Sequence, residues 1–302
     1  MTLTGVYVPL ITPFDAAGEV ALDALEALAH DVLDSGASGV VALGTTAEPD
    51  SLTAAERGDV VDLLARLCRR RGARLLVGAN TVAAVRALPE STVALSLVPP
   101  FVRPGEAGVV AHFAALTAAS PVPVLVYHVP YRTGQHLSVD ALRGLAALPG
   151  VVGVKHAVGG IDADTIALLA DPPPGFAILG GDDAFISPLL ALGAHGGILA
   201  SAHVATAEFA ALVSSWRAGA ADRARALGHR LAALSGALFA EPNPTVVKGV
   251  LHARGRIPTA GVRLPLLPAA DETVRAALRL SVVERVPQDV AGRAVDVDVV
   301  LR

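Results

Sequence analysis

The sequence predicts an α/β chain closed into a (β/α)8 barrel and followed by a helical C-terminal segment. Three observations carry this. Short, apolar, β-branched runs alternate with longer helical patterns from residue 5 to residue 202. The runs number eight, and most are near-continuously apolar, as parallel strands covered on both faces are. Beyond residue 205 the strand pattern stops and only helical patterns follow. The division read from this is a barrel over 1–205 and a helical segment with an irregular tail over 206–302.

The strand candidates run in order. They are GVYVPLIT (5–12), SGVVALG (38–44), ARLLVGA (73–79), TVALSLVP (92–99), VPVLVYHV (122–129), VVGVKHA (151–157), FAILGGD (176–182) and GGILASA (196–202). Helical patterns over 21–35, 53–71, 106–119, 138–148, 162–170 and 184–192 separate them, with Thr53 before AAE and Ser138 before VDAL as start signals. A doubly wound dinucleotide fold is the rival arrangement. It is disfavoured because no G-x-G-x-x-G follows the first strand and eight units exceed its usual count. The later helical patterns include PTVVKGVLHARG and a last helix over 271–280.

Composition narrows the function. Hydrophobic residues make up 53% of the chain and charged residues 17%, enough for a large core. A net charge of −4 gives no nucleic-acid footprint. The single cysteine, Cys68, rules out an intramolecular disulfide framework and fits a reducing compartment. The first residues lack a positively charged region before an apolar run, and no apolar run reaches membrane-spanning length without Gly, Pro or charge. The expectation is a cytoplasmic protein with no membrane partner.

The two lysines then stand out. Lys155 and Lys248 are the only ones, and arginine supplies the other 22 of the 24 basic side chains. Lys155 lies inside the apolar run VVGVKHA, at the end of the sixth strand candidate. Barrel enzymes place their chemistry at the C-terminal ends of the strands. Tyr127 ends the neighbouring fifth strand, and parallel neighbours lie about 4.8 Å apart, so the phenol and the amine can share the barrel mouth. A desolvated lysine loses its proton near neutrality and attacks a ketone or α-keto acid to form a Schiff base. Arginine stays charged and cannot do so.

Other strand ends offer partners. Thr45 and Thr46, in GTTAE (44–48), read equally as a helix-capping turn or as hydroxyl and N–H donors to a carboxylate, with Thr45 able to pass a proton toward Tyr127. Arg132 reads as a solvated loop residue or as a bidentate carboxylate clamp. Asp182 and Asp183 resemble a metal pair, but at a helix start carboxylates act as caps, and no supporting histidine or glutamate is spaced for a metal. The nine histidines form no metal array of the H-E-x-x-H kind, so neither metal nor cofactor is expected.

Together GTTAE, YHVPYRTG, GVKHAVG, GGDDA, EPNPTVVKG and RLPL resemble the dihydrodipicolinate synthase and N-acetylneuraminate lyase family of class I aldolases, and GTT with YRTG resembles the synthase branch most. The resemblance runs from GVYVPLITPFDAAGEV to RLPLLPAADETVRAAL. It implies a TIM barrel with a C-terminal helical segment, assembled as a dimer or tetramer. It implies Lys155 as the Schiff-base lysine, Tyr127 as the proton-transfer tyrosine and Thr45 as the hydroxyl relay. Thr46 is then a ligand of the pyruvate carboxylate, Arg132 the holder of the aldehyde's carboxylate, and Ile198 a neighbour of bound pyruvate. The implied reaction joins pyruvate to aspartate semialdehyde.

The chain also departs from the family pattern. The stretch T-P-Y-Y-N-R-P appears as VPPFVRP (98–104), so Phe101 replaces a relay tyrosine and carries no hydroxyl. His128 and His156 replace the usual asparagine and glutamate, Ala47 replaces a glycine, and NTVAAVRALPES between strands 3 and 4 is about two helical turns short. These changes leave open an aldolase or dehydratase for sugar-acid-derived 2-keto acids. They also leave open a catalytically weak binder of α-keto acids.

Overall fold

A computed structural model describes residues 2–281. Its strands are β1 Gly5–Pro9, β2 Gly39–Ala42, β3 Arg74–Gly78, β4 Thr92–Leu97, β5 Val124–His128, β6 Val151–His156, β7 Ala177–Gly180 and β8 Gly196–Ile198. They pair in parallel in chain order, and β8 returns to β1, closing the barrel. The helices between them are α1 Leu22–Asp34, α2 Ala54–Arg71, α3 Val82–Arg86, α4 Gly105–Ala119, α5 Pro130–Thr133, α6 Val139–Ala146, α7 Ala163–Ala170 and α8 Ile186–Ala191. After β8 come α9 Ala202–Arg217, α10 Ala221–Leu238, α11 Thr245–Ala253 and α12 Asp271–Leu280. The irregular tail expected after the last helix lies outside the described residues.

The strands are shorter than the apolar runs that announce them. Leu10, Ile11 and Val98 lie beyond the strand ends yet are fully buried, because the first residues of the mouth loops still pack on the barrel. Helix starts follow the cap signals. Thr53 forms a reciprocal capping box with Glu56, and Ser138 and Asp162 accept backbone N–H groups at the starts of α6 and α7. The shortened segment between β3 and β4 leaves α3 only five residues.

Period-two alternation splits the apolar residues between two cores. Tyr7, Val41, Leu76, Leu95, Leu125, Leu179 and Ile198 fill the barrel interior. Val8, Val40, Val77, Ala94, Val126, Val154 and Ile178 face the helix ring. Tyr127 belongs to the inner set. His128 and His156 are the next residues after Tyr127 and Lys155, so the same alternation turns them outward, beneath the helices.

The helix after β8 breaks at Ala205, whose φ and ψ are −140° and 47°. Past this break the rest of α9 packs on β1 and α1 as the eighth helix of the ring. Beyond it, α10 packs on α8, α9 and α12, and α11 packs on α9 and α12.

The second lysine holds this segment to the barrel. Lys248, fully buried on α11, donates to Glu48 Oε1 at 2.5 Å and to the Gly261 carbonyl at 2.8 Å. Glu48 Oε2 accepts the Arg263 backbone N–H at 2.9 Å. The Arg263 guanidinium grips Glu56 through two bonds of 2.6 and 3.0 Å. Phe14 lies under both cations, 4.1 Å from Lys248 Nζ and 4.4 Å from Arg263 Cζ. Burial pulls the Lys248 ammonium toward neutrality, and the touching Glu48 carboxylate opposes it.

Candidate active site

The site is built where β5 and β6 end. Tyr127 and Lys155 are register partners across that pair, and Lys155 Nζ lies 4.1 Å from the centre of the Tyr127 ring. Lys155 makes no ion pair or hydrogen bond among the described residues, although it is 93% buried. Burial pushes its ammonium down to about 8, against the pull of Asp183, Tyr131 and Asp182. Gly181 makes room for the side chain: a Cβ there would stand 2.8 Å from Lys155 Cε and from the Ala157 methyl.

Tyr127 is buried as well. Burial raises its phenol to about 12, while the Arg132 guanidinium and the nearby Thr45 side chain pull it down. Thr45 is reached by a sharp reversal: Leu43 takes a left-handed φ of 53°, and Thr45–Ala47 forms a single 3-10 turn that ends at Glu48, also left-handed. That turn exposes Thr45 and buries Thr46. The Thr46 hydroxyl accepts a hydrogen bond of 2.9 Å from Asn243 Nδ2.

A narrow inner cavity holds these groups together. Thr45, Thr46, Tyr127, Arg132, Lys155 and Ile198 all line it, so the six residues given catalytic or substrate-binding roles from the sequence are brought together there. It opens through Thr45, Tyr127, Arg132 and Asn243 into an outer vestibule of about 530 Å³. Arg132 sits on the short helix α5 at the rim shared by both spaces. Phe101 lines the vestibule only, 94% exposed and with a left-handed φ of 67°.

The aspartate pair does not cap its own turn. Asp183 accepts the Ser201 backbone N–H at 2.5 Å, and Asp182 accepts that of Gly159 at 2.7 Å, so the two carboxylates tie β7 to the loops after β8 and β6. Capping read from sequence is local, whereas these N–H donors come from distant segments. Burial raises the Asp183 carboxyl to about 6. Among the described residues no group of three His, Cys, Asp or Glu side chains is placed to hold a metal ion.

Two site residues escaped the residue-by-residue reading, Tyr131 and Asn243, both lining the lysine cavity, and Asp183, read there as a helix cap, lines it as well. Tyr131 and Asn243 lie within the quoted runs YHVPYRTG and EPNPTVVKG, but no spacing rule brings residue 243 back to residue 46.

A dry, unpaired lysine at the mouth of a parallel barrel, stacked on a buried phenol, defines an imine-forming barrel of the class I aldolase kind. The sequence model of the dihydrodipicolinate synthetase family matches residues 2–281, and the chain belongs to that family. The 4-hydroxy-tetrahydrodipicolinate synthase of Synechococcus elongatus is 36% identical over 282 residues, covering 90% of this chain and 93% of its own length. The enzyme of the same name from Neisseria meningitidis serogroup B is 34% identical over 289 residues, covering 92% and 99%. The solved dihydrodipicolinate synthase of Thermotoga maritima superposes with a TM-score of 0.88 at 28% identity, covering 93% of this chain and 98% of that one. The chloride-inhibited enzyme from Acinetobacter baumannii, complexed with pyruvate, gives 0.86 at 30% identity, covering 93% and 99%.

Proposed function

We propose that this chain is a pyruvate-dependent lyase that works as a 4-hydroxy-tetrahydrodipicolinate synthase. The observation that carries the reading is the unpaired amine of Lys155, buried against Tyr127. Pyruvate enters with its carboxylate toward Thr46 and the N–H groups of the Thr45 turn, and its methyl group toward Ile198. The neutral amine adds to the ketone carbon, forming a C–N bond while the carbonyl electron pair moves to oxygen. Loss of that oxygen as water leaves a protonated imine. Tyr127, which lines the cavity beside Thr45, carries protons to and from the oxygen and the methyl carbon. The enamine formed by losing a methyl proton attacks the aldehyde carbon of aspartate semialdehyde, whose carboxylate Arg132 holds.

Phe101 favours a second reading, in which the same imine serves an aldolase or dehydratase for a sugar-acid-derived 2-keto acid. A side chain without a hydroxyl at the vestibule changes what the second substrate meets. Assembly as a homo-oligomer is part of the proposal, supported by the exposed apolar side chains of Phe101, Val102, Leu264 and Leu267. A cytoplasmic setting is supported by the one cysteine, whose buried thiol is pushed up to about 11. No helix among the described residues is long and apolar enough to cross a membrane.

Turnover of pyruvate with aspartate semialdehyde, beside a panel of other aldehydes and sugar-acid dehydrations, tests the choice. Preference for aspartate semialdehyde is expected. A higher kcat/KM for a sugar-acid substrate would replace it with the second reading.

A further inference from the structure

We propose that the phenol of Tyr131 is the solvent-side proton-transfer group of this site, passing protons between the lysine cavity and bulk water. The proposal rests on the imine chemistry assigned above to Lys155. That chemistry must exchange protons with solvent. Expelling the carbonyl oxygen as water consumes a proton at that oxygen, and forming the enamine releases one from the methyl carbon.

The buried members of the site cannot make this exchange alone. Tyr127 is 92% buried, and Lys155 becomes part of the imine. The Thr45 hydroxyl is exposed but does not titrate in water's working range, so it conducts a proton only between groups that do. A guanidinium such as that of Arg132 does not serve as a proton donor or acceptor here, because arginine holds its charge across the working range of proteins. Asp183 lines the cavity but is 96% buried and fixed on the Ser201 N–H. Phe101, at the vestibule, has no proton to give.

Tyr131 satisfies both requirements. It lines the same cavity as Lys155 and Tyr127, and 63% of it is exposed to solvent. The chain contains three tyrosines, and the third, Tyr7, is sealed in the barrel interior. The neighbouring Arg132 guanidinium lies 5.5 Å from the Tyr131 ring centre. Burial and the nearby Tyr127 phenol raise the Tyr131 pKa and keep its proton in place at rest, and the Arg132 cation opposes them, favouring the phenolate that exists transiently during transfer. Its charge acts on the Lys155 amine, and the Tyr127 phenol acts on it in turn. In the forward step the Tyr131 O–H gives its proton through Tyr127 to the departing oxygen and regains one from water. In the enamine step the proton leaves along the same path in reverse.

The test separates imine formation from proton transfer and needs no aldehyde. Borohydride trapping with pyruvate reports the imine, and exchange of the pyruvate methyl protons in D2O, followed by NMR, reports the enamine. Tyr131→Phe is expected to keep the trapped adduct and to slow exchange by about 10²-fold, the usual contribution of a positioned proton-transfer group. The double variant Tyr131→Phe with Phe101→Tyr is expected to recover part of the loss, because it returns a phenol to the vestibule. Full adduct with undiminished exchange in Tyr131→Phe would overturn the assignment while leaving the lysine chemistry intact. Failure of the wild-type protein to form an adduct would overturn the lysine chemistry and this assignment with it. The adduct formed by Tyr131→Phe doubles as evidence that the variant folds.

Discussion

Tyr127 and Lys155 occupy matching positions on β5 and β6, and the lysine nitrogen sits 4.1 Å above the tyrosine ring. The arrangement does two things. It gives the amine an apolar, polarisable neighbour in place of a carboxylate, and it holds a phenol within reach of whatever carbonyl the amine attacks.

The amine should therefore titrate near pH 8. The ammonium is favoured below that value and the nucleophile above it, since burial has lowered its pKa from the ordinary lysine range. The initial rate of pyruvate trapping should rise from pH 6, pass its half-maximum near 8 and level off about one unit higher. Replacing Asp183 with Asn removes the carboxylate that most supports the ammonium, so the rise should move to lower pH.

Asn243 should matter for binding more than for turnover. Its amide donates to Thr46, the residue assigned to the pyruvate carboxylate. Asn243→Ala leaves that hydroxyl free to turn, and one such hydrogen bond contributes about 1 kcal/mol. Steady-state kinetics should show KM for pyruvate rising several-fold with kcat nearly kept.

Breaking the Glu48–Lys248 pair should be costly. Glu48→Gln strands a fully buried ammonium, which destabilises by about 3–5 kcal/mol in comparable cases. Denaturant unfolding should show this loss, and adding Lys248→Met should restore a good part of it, giving a large coupling energy in the double-mutant cycle.

Acid should weaken the fold before it protonates most carboxylates. Burial holds His128 down to about 3, and His156 and His203 down to about 4. Their unfolded values are near 6.5, so between pH 6.5 and 4 the unfolded chain binds protons that the folded chain refuses, and stability falls as pH falls. Each such group steepens the slope by up to about 1.4 kcal/mol per pH unit. His128 and His156 face each other with ring centres 5.7 Å apart, near His136, Asp162 and Thr165. The pH dependence of the unfolding midpoint should be shallower in His128→Asn than in the wild type.

Much of this was readable in the chain because the governing rules are local. Apolar runs bounded by turns marked all eight strands, and Thr53 and Ser138 sit where helix starts need acceptors. Lys155 was conspicuous as an amine in an arginine-rich chain, and strand order alone put Tyr127 beside it. The unread parts depend on distant contacts. Lys248 meets Glu48 across 200 positions, Asn243 meets Thr46 across 197, and Asp183 finds its donor on another loop. Only closure of the barrel and the return of the C-terminal helices create those neighbours. Tyr131 was hidden for another reason: it lies on a four-residue helix too short to carry a periodic signal.

The central claim is tested most directly by reducing the protein with borohydride in the presence of pyruvate and mapping the modified peptide by mass spectrometry. The prediction is one pyruvate-derived adduct, located on Lys155 and absent from both Lys155→Ala and Lys155→Arg. An adduct that persists in Lys155→Ala, or that maps to Lys248, would contradict it.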